Sequence, residues 1–435
     1  MQRIVVLSDG TWCGRETGTQ TNIYRLARLM GIPIEQPNSQ DEYTLNTPTL
    51  HARYRHGVGL NSTFLDYLFN GITAQDIATE CVSAYRFIVD HYAENSEIWL
   101  FGLSRGAYTV RCVAGMINNC GILRKCDTDA DTDLLCREVY RRYRSRYDVH
   151  CPDSEQSIAF RKRKSWPLIG DEADGEPRRR APVRFMGLLD TVGSLGIPDF
   201  QWGIGLEWAA FYDNQVSSVV DQVGHFVSLH DRIFCFQPCL ASRKDPALPG
   251  IHEEWLPGVH YDLGRQRFRF FRTGASWPER VLANWTYATK AVEPNSVLAD
   301  LALLKMLQCI QQHDDTGAII PAEDLTTEIQ NLQQAMAALH PDVGNGDVYG
   351  DVLAYGPFGS IVWAIFKRVY SYAPSLSQTL LALRDRLIPT DNAQVYRFGD
   401  VDGDVSATQP VAEIAQVTPQ RYPSESLRAW DLARA

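Results

Sequence analysis

The segment Gly102-Leu103-Ser104-Arg105-Gly106 sets a hydroxyl between two glycines, the G-x-S-x-G spacing that suits a serine nucleophile held on a sharp turn. It lies between a short apolar run, Ile98-Trp99-Leu100-Phe101, and a stretch from Arg105 to Ile117 with Val110, Val113, Ala114 and Ile117 at helical spacing. The pattern therefore predicts strand, tight turn, helix. In that setting the backbone of the serine is strained and its Oγ stands clear of the sheet. The N–H of Arg105 then opens a helix, where it can donate to an oxyanion. A glycine-lined turn without chemistry is the plainer reading of the bare spacing, and the flanking strand and helix favour the nucleophile.

A serine hydroxyl is a weak nucleophile at neutral pH, so it needs a base, and the base needs a carboxylate to orient it. Behind a turn of this kind the chain order is serine, acid, histidine. Asp190 ends the apolar run Val183 to Leu189 and precedes Thr191-Val192-Gly193, which predicts a carboxylate at the C-terminal edge of a sheet. An aspartate that merely caps the next turn is the alternative. The histidines further along the chain are His225, His230, His252, His260, His313 and His340. His260 comes after a predicted strand, Glu254 to Leu256, and a Pro257-Gly258 turn, and is the preferred base. His225 and His230 fall in a helix-like stretch from Gln222 to Arg232, where a structural histidine is the commoner outcome.

A second oxyanion donor is expected from Ser8-Asp9-Gly10-Thr11-Trp12, where the N–H of Gly10 or Thr11 can approach the substrate. Asp9 either pins that loop or binds a metal. Asp262, two residues past His260, reads equally as an orienting group, a metal ligand or a turn former. There is no HExxH and no clustered Cys/His spacing, so neither a catalytic metal nor a cofactor is expected.

These residues need a sheet to line them up, and the first 265 or so residues supply the signature of one. Short apolar runs alternate with turns and helix-period segments, as in successive βαβ units. Arg3 to Leu7 predicts a buried strand. A helix with Ile77, Cys81, Ala84, Tyr85 and Ile88 on one face begins where Thr73 and Asp76 have capping-box spacing. Ile233 to Phe236 is a further apolar run. Between about 126 and 182 lies a charged insertion. Its basic runs, Arg161 to Lys164 and Arg178 to Arg180, nearly cancel its acids, which predicts a solvated loop-and-helix insertion before a binding patch. Past about residue 270 the pattern turns helical, with Ser296 expected to cap Val297 to Ile310 and a further helix from Pro321 to Leu339. Phe358 to Tyr372 is apolar on several sides and reads first as a buried helix or lid, second as a face resting on a membrane.

Composition narrows the class. The chain has 435 residues, 45% hydrophobic and 22% charged, as in ordinary folded proteins, which excludes a disordered or fibrous chain. A formal net charge of -10 repels phosphate backbones, so no nucleic-acid partner is expected. Ten cysteines without a CxxC pair read as reduced, packed thiols. No signal-peptide core and no spanning apolar run is found, which predicts a cytoplasmic protein, with leaderless export still open.

Taken in order, Asp9-Gly10-Thr11-Trp12, Thr21-Asn22, Tyr54 with Gly57-Val58-Gly59, Gly102 to Arg111, Asp190-Thr191-Val192-Gly193 and Pro257-Gly258-Val259-His260-Tyr261-Asp262 resemble the motifs of one catalytic domain. It is that of the Tle-type phospholipase effectors of bacterial type VI secretion and their bacterial and fungal relatives. The resemblance spans about the first 265 residues. It implies an α/β-hydrolase-like, mostly parallel sheet flanked by helices, with a triad falling on Ser104, Asp190 and His260, and hydrolysis of carboxylic esters in lipids. Two departures bear on the loop that carries the base: Tyr261 replaces a serine, and Arg265-Gln266 stand where glycines are expected.

The expected organisation is a catalytic core over 1–270 and a largely helical region over 271–435 that acts as a lid or a docking surface. The expected activity is that of a serine esterase or lipase, a phospholipase-like hydrolase forming an acyl-enzyme. A small-molecule or lipid ester is the expected substrate, with peripheral membrane contact and oligomeric state open. The alternatives are a thioesterase or peptidase with the same triad, or a non-catalytic relative that binds lipid or a partner in the old pocket.

Overall fold

The computed structural model describes residues 1–10, 20–34, 42–57, 74–167, 181–192, 216, 218–228, 239–241, 250–256, 258–269, 291–292 and 294–337. Its centre is a seven-stranded sheet, built from β1 (Arg3–Ser8), β2 (Glu42–Asn46), β3 (Leu50–Arg55), β4 (Glu97–Leu103), β5 (Val183–Leu189), β6 (Val220–Ser228) and β7 (Ile251–Leu256). The strand order is β2-β3-β1-β4-β5-β6-β7, and every neighbouring pair is parallel except β2 with β3. This is the expected α/β fold, a mostly parallel sheet with helices on both faces. The chain lays β3 on one side of β1 and then β4 on the other. A crevice therefore opens at the carboxyl ends of β1 and β4, where Asp9 and Ser104 come directly after the last strand residues.

The central strands β1, β4 and β5 are largely apolar because both faces are covered, and their two-residue period divides the side chains between two cores. Val5, Leu7, Trp99, Phe101 and Phe185 join one core with α1 (Asn22–Leu29), α7 (Ser296–His313) and α8 (Ala322–Ala337). Ile4, Val6, Ile98, Leu100 and Met186 join the other with α2 (Ala74–His91), α3 (Arg105–Cys120) and α4 (Asp129–Tyr143). A short 3-10 turn, Asp148–His150, and α5 (Glu155–Lys164) complete the described part of the insertion. The five-residue α6 (His260–Gly264) comes after β7, and Phe268–Arg269 (β8) pairs with Ala291–Val292 (β9). α7 lies directly on the sheet: a Cβ added at Gly187 of β5 would come within 2.5 Å of Met306 Sδ.

Three local expectations need correction. The stretch Gln222 to Arg232 is not helical where described: Gln222 to Ser228 belongs to β6, between β5 and β7, so His225 sits on a buried central strand. Pairing on both edges and burial on both faces override the helix-like spacing of its polar residues. Ser296 is the first helical residue of α7, and its cap is Asn295, whose Oδ1 accepts from the N–H groups of Val297 (3.0 Å) and Leu298 (3.2 Å). The last helix begins at Ala322, after Pro321. Thr73, His230, Ile233 to Phe236, Arg178 to Arg180, His340 and Phe358 to Tyr372 lie outside the described residues.

Candidate active site

The register of three adjacent strands brings the first two groups together. Leu103 and Leu189, the last residues of β4 and β5, are level with Phe226 of β6. Ser104 and Asp190 are the next residues of their chains, tied across by Ser104 N to Leu189 O (2.9 Å) and Asp190 N to Phe226 O (2.8 Å). Both take positive φ, 56° for Ser104 and 40° for Asp190, a conformation that non-glycine residues keep only where their surroundings enforce it.

For Ser104 the enforcement is the passage of α3 beneath the turn. A Cβ at Gly102 would lie 2.5 Å from the Ala107 backbone, and one at Gly106 would lie 2.1 Å from Ser8 O. Only glycine permits these approaches, which accounts for both glycines of the spacing. The turn is buried, and the Arg105 N–H is the first of α3, where no intrahelical acceptor exists.

His260 arrives from the other side as the first residue of α6, after Gly258 (φ 110°) turns the chain away from β7. Its Nε2 lies 2.8 Å from Ser104 Oγ and its Nδ1 lies 2.7 Å from Asp190 Oδ2. All three side chains are buried. Asp190 is fully enclosed, and Ser228, at the end of β6, supplies donors in place of water: its N–H reaches Oδ1 (3.0 Å) and its hydroxyl reaches Oδ2 (2.8 Å). Ser228 escaped the sequence reading because a single serine after an apolar strand has no distinctive spacing. Its only signal is a place at the same sheet edge as Asp190.

The two ambiguous carboxylates are both engaged by hydrogen-bond donors. Asp9 accepts from Gly10 N (2.8 Å), Thr21 Oγ1 (2.5 Å) and Tyr54 OH (2.7 Å), so it pins the loop after β1 to α1 and β3. Asp262 accepts from Val259 N (3.0 Å) and Asn295 N (2.8 Å), joining the turn that carries His260 to the start of α7. Asn22 adds a second tie, its Nδ2 donating to Leu263 O and Ala299 O, both at 2.7 Å. Among the described residues no group of three His, Cys, Asp or Glu side chains is placed to hold a metal ion. The Gly10 N–H is spent on Asp9, and Thr11 lies outside the described residues.

The other candidate histidines that are described have partners of their own away from Ser104. His252 is largely exposed beside Glu254 (3.3 Å), and His313 stacks on Phe185. His225 is buried one strand over, with Nδ1 2.9 Å from Glu253 Oε2 and Nε2 3.4 Å from the N–H of Thr191, the residue after Asp190. Burial alone pushes the Glu253 carboxyl up. The His225 hydrogen bond and charge, the Ala241 N–H and the Arg111 charge outweigh it and hold the group below its ordinary range.

The departures at the base-bearing loop have a local form. Arg265 ends α6 in the left-handed conformation (φ 52°, ψ 45°), the position where glycine is usual, while Gln266 is buried with its amide against Gly10. Tyr261 packs edge-on to the His260 ring, with centroids 5.7 Å apart.

Similar proteins bear on this arrangement. An uncharacterized protein of Saccharomyces cerevisiae is 27% identical over 250 residues, which cover 54% of this chain and 33% of that protein, so this chain spans about a third of that relative's length. The crystal structure of an uncharacterized protein from Pseudomonas aeruginosa aligns with 78% of this chain and 50% of its own, at 14% identity and a TM-score of 0.32. The family model described as the catalytic domain of Tle1-like phospholipase effectors of the type VI secretion system matches residues 2–308. That match takes in every residue of the relay from Ser104 to Asp190, and the chain belongs to this family.

Proposed function

We propose that the chain is a serine esterase acting on the acyl esters of phospholipids. Ser104 Oγ attacks the ester carbonyl as His260 Nε2 takes its proton, and Asp190 holds the imidazole and stabilises its cation. The oxyanion is held by the Arg105 N–H and a second donor from the Gly10-Thr11 stretch. Thr11 is the better candidate, because the Gly10 N–H already donates to Asp9. The intermediate collapses with loss of the alcohol, protonated by His260. Water activated by the same imidazole then releases the fatty acid and restores Ser104. A core through about residue 270 supplies all of these groups, and α7 and α8 of the region beyond it help to cover one face of the sheet.

The observation that carries this reading is the unbroken run of hydrogen bonds at 2.8 and 2.7 Å. It joins a strained serine to residues 156 positions away and, through that imidazole, a further 70 positions apart. The lipid class rests on the family match. The test is covalent labelling by a fluorophosphonate, with fatty-acid release from phospholipids measured in parallel. Native protein is expected to label and to hydrolyse. Ser104→Ala is expected to do neither, with a rate loss of about 10⁴-fold or more. A native protein that neither labels nor turns over ends the proposal.

A further inference from the structure

Along the sequence the insertion's charges nearly cancel, but the fold sorts them by sign. At the start of α4, Asp129 and Asp133 pair with Arg86 at 2.7 and 3.1 Å, and Asp129 also pairs with Lys125 at 3.3 Å. Those acids are neutralised where they stand. At the other end of the helix, roughly 22 Å away at 1.5 Å per residue, Arg141, Arg142, Arg144 and Arg146 gather with Ser145, Tyr147 and His150 around an open cleft of 730 Å³. The one acid lining it, Glu138, is taken by Arg142 at 2.7 Å, whose guanidinium also lies over the Phe160 ring of α5 at 4.4 Å.

The last turn of α5 adds Lys162, Arg163 and Lys164, all exposed. These three and Arg141 make no ion pair among the described residues. Over residues 137–164 basic side chains outnumber acidic ones nine to four, in a chain whose net charge is -10. Such a concentration of like charge, against the sign of the whole molecule, selects an anionic partner. Beside it Tyr147 is 74% exposed and Val149 46%, two of the few large apolar side chains left to solvent among the described residues. Guanidinium groups pair with phosphate oxygens, and a tyrosine beside them suits the headgroup layer of a bilayer, where one end of the ring is dry and the other wet. An extended polyanion such as RNA would meet the acidic remainder of the surface, whereas a membrane touches one face only.

We propose that this cleft, lined by Arg141, Arg144, Arg146 and His150 and flanked by Tyr147, docks the protein on an anionic phospholipid surface. The choice of lipid as the source of phosphate rests on the proposed phospholipid substrate. Docking here brings the bilayer alongside α3, because Tyr143, at the end of α4, packs against Gly115 of that helix.

The test is co-sedimentation with vesicles of phosphatidylcholine alone or mixed with phosphatidylglycerol. It is carried out in the Ser104→Ala background so that lipid is not consumed. Binding is expected to the mixed vesicles and to fall steeply as salt rises from about 0.1 to 1 M, as the Debye length shrinks from ~10 to ~3 Å. R141E/R146E is expected to bind at least tenfold more weakly, given about 1 kcal/mol for each basic residue near the surface. R141K/R146K, which keeps the charge, is expected to retain most of the binding. Equal binding to both vesicle types, native-like binding by a folded R141E/R146E protein, or binding to single-stranded RNA with none to vesicles overturns the proposal. Hydrolysis of a soluble short-chain ester, measured with Ser104 intact, is expected to be unchanged by R141E/R146E. Its absence in native protein would sink the esterase reading while leaving the docking result to stand on the vesicles.

Discussion

A carboxylate with no exposure to solvent keeps its charge only if donors replace the water it has lost. Asp190 meets such donors in His260 and, twice, in Ser228. Removing the Ser228 hydroxyl takes a donor from Oδ2 and loosens the hold on the carboxylate, so Ser228→Ala acts through the orientation of His260. The loss of a hydrogen bond to a charged group is worth about 1.5–3 kcal/mol, so kcat is expected to fall by about tenfold or more with KM little changed. Steady-state kinetics on a soluble ester check this, and a change confined to KM would contradict it. The neighbouring His225 and Glu253 pair carries a pH signature instead. The Glu253 carboxyl lies below its ordinary value of 4.5, so its ionised form stabilises the fold above that pH, and the contribution is lost as pH falls through the lower folded value. Glu253→Gln is therefore expected to destabilise the protein by about 1–2 kcal/mol near neutrality, with the gap to native closing as pH falls below 4.5 and through the lower folded value. Urea melts at the two pH values measure it, and a gap that does not change with pH would contradict the assignment.

At the scale of elements, the legible part of the sequence is the part that local geometry dictates. The strand, turn and helix around Ser104 could be read because the glycines answer to backbone approaches within a few residues of them, or to the neighbouring strand at Ser8. The strand before Asp190 could be read because a run buried on both faces is apolar but for Arg184. Gln222 to Ser228 was misleading for a physical reason. Its His225 faces Glu253, a partner supplied by another strand, so no pattern within the segment reveals that the histidine is paired. Ser228 and Asn22 share that character. Each acts on a group contributed by a distant element, and a single polar residue has no periodicity to betray it. The neutralisation of Asp129 and Asp133 at the start of α4 was hidden in the same way, because Arg86 lies 43 positions before Asp129.

For the whole molecule, the question is whether the sheet can stand without the chain beyond residue 270. One face is covered by α2, α3 and α4, all earlier in the chain, but the other is shared by α1 with α7 and α8. Leu301, Ala302, Met306 and Ile310 belong to the same apolar core as Val5, Trp99, Phe101 and Phe185. The helix that carries His260 is also fastened from that side, by Asp262 to Asn295 N and by the Asn22 bridge to Leu263 O and Ala299 O. Removing everything after residue 270 would expose the aromatic side of β4 and β5 to water and release α6 at once. Such a fragment is expected to show no cooperative thermal transition, to bind a hydrophobic dye, and to leave Ser104 unlabelled by a fluorophosphonate, while the full chain melts cooperatively. A fragment that melts sharply and still labels would mean that α1 alone can close that face, and that the base keeps its place without α7.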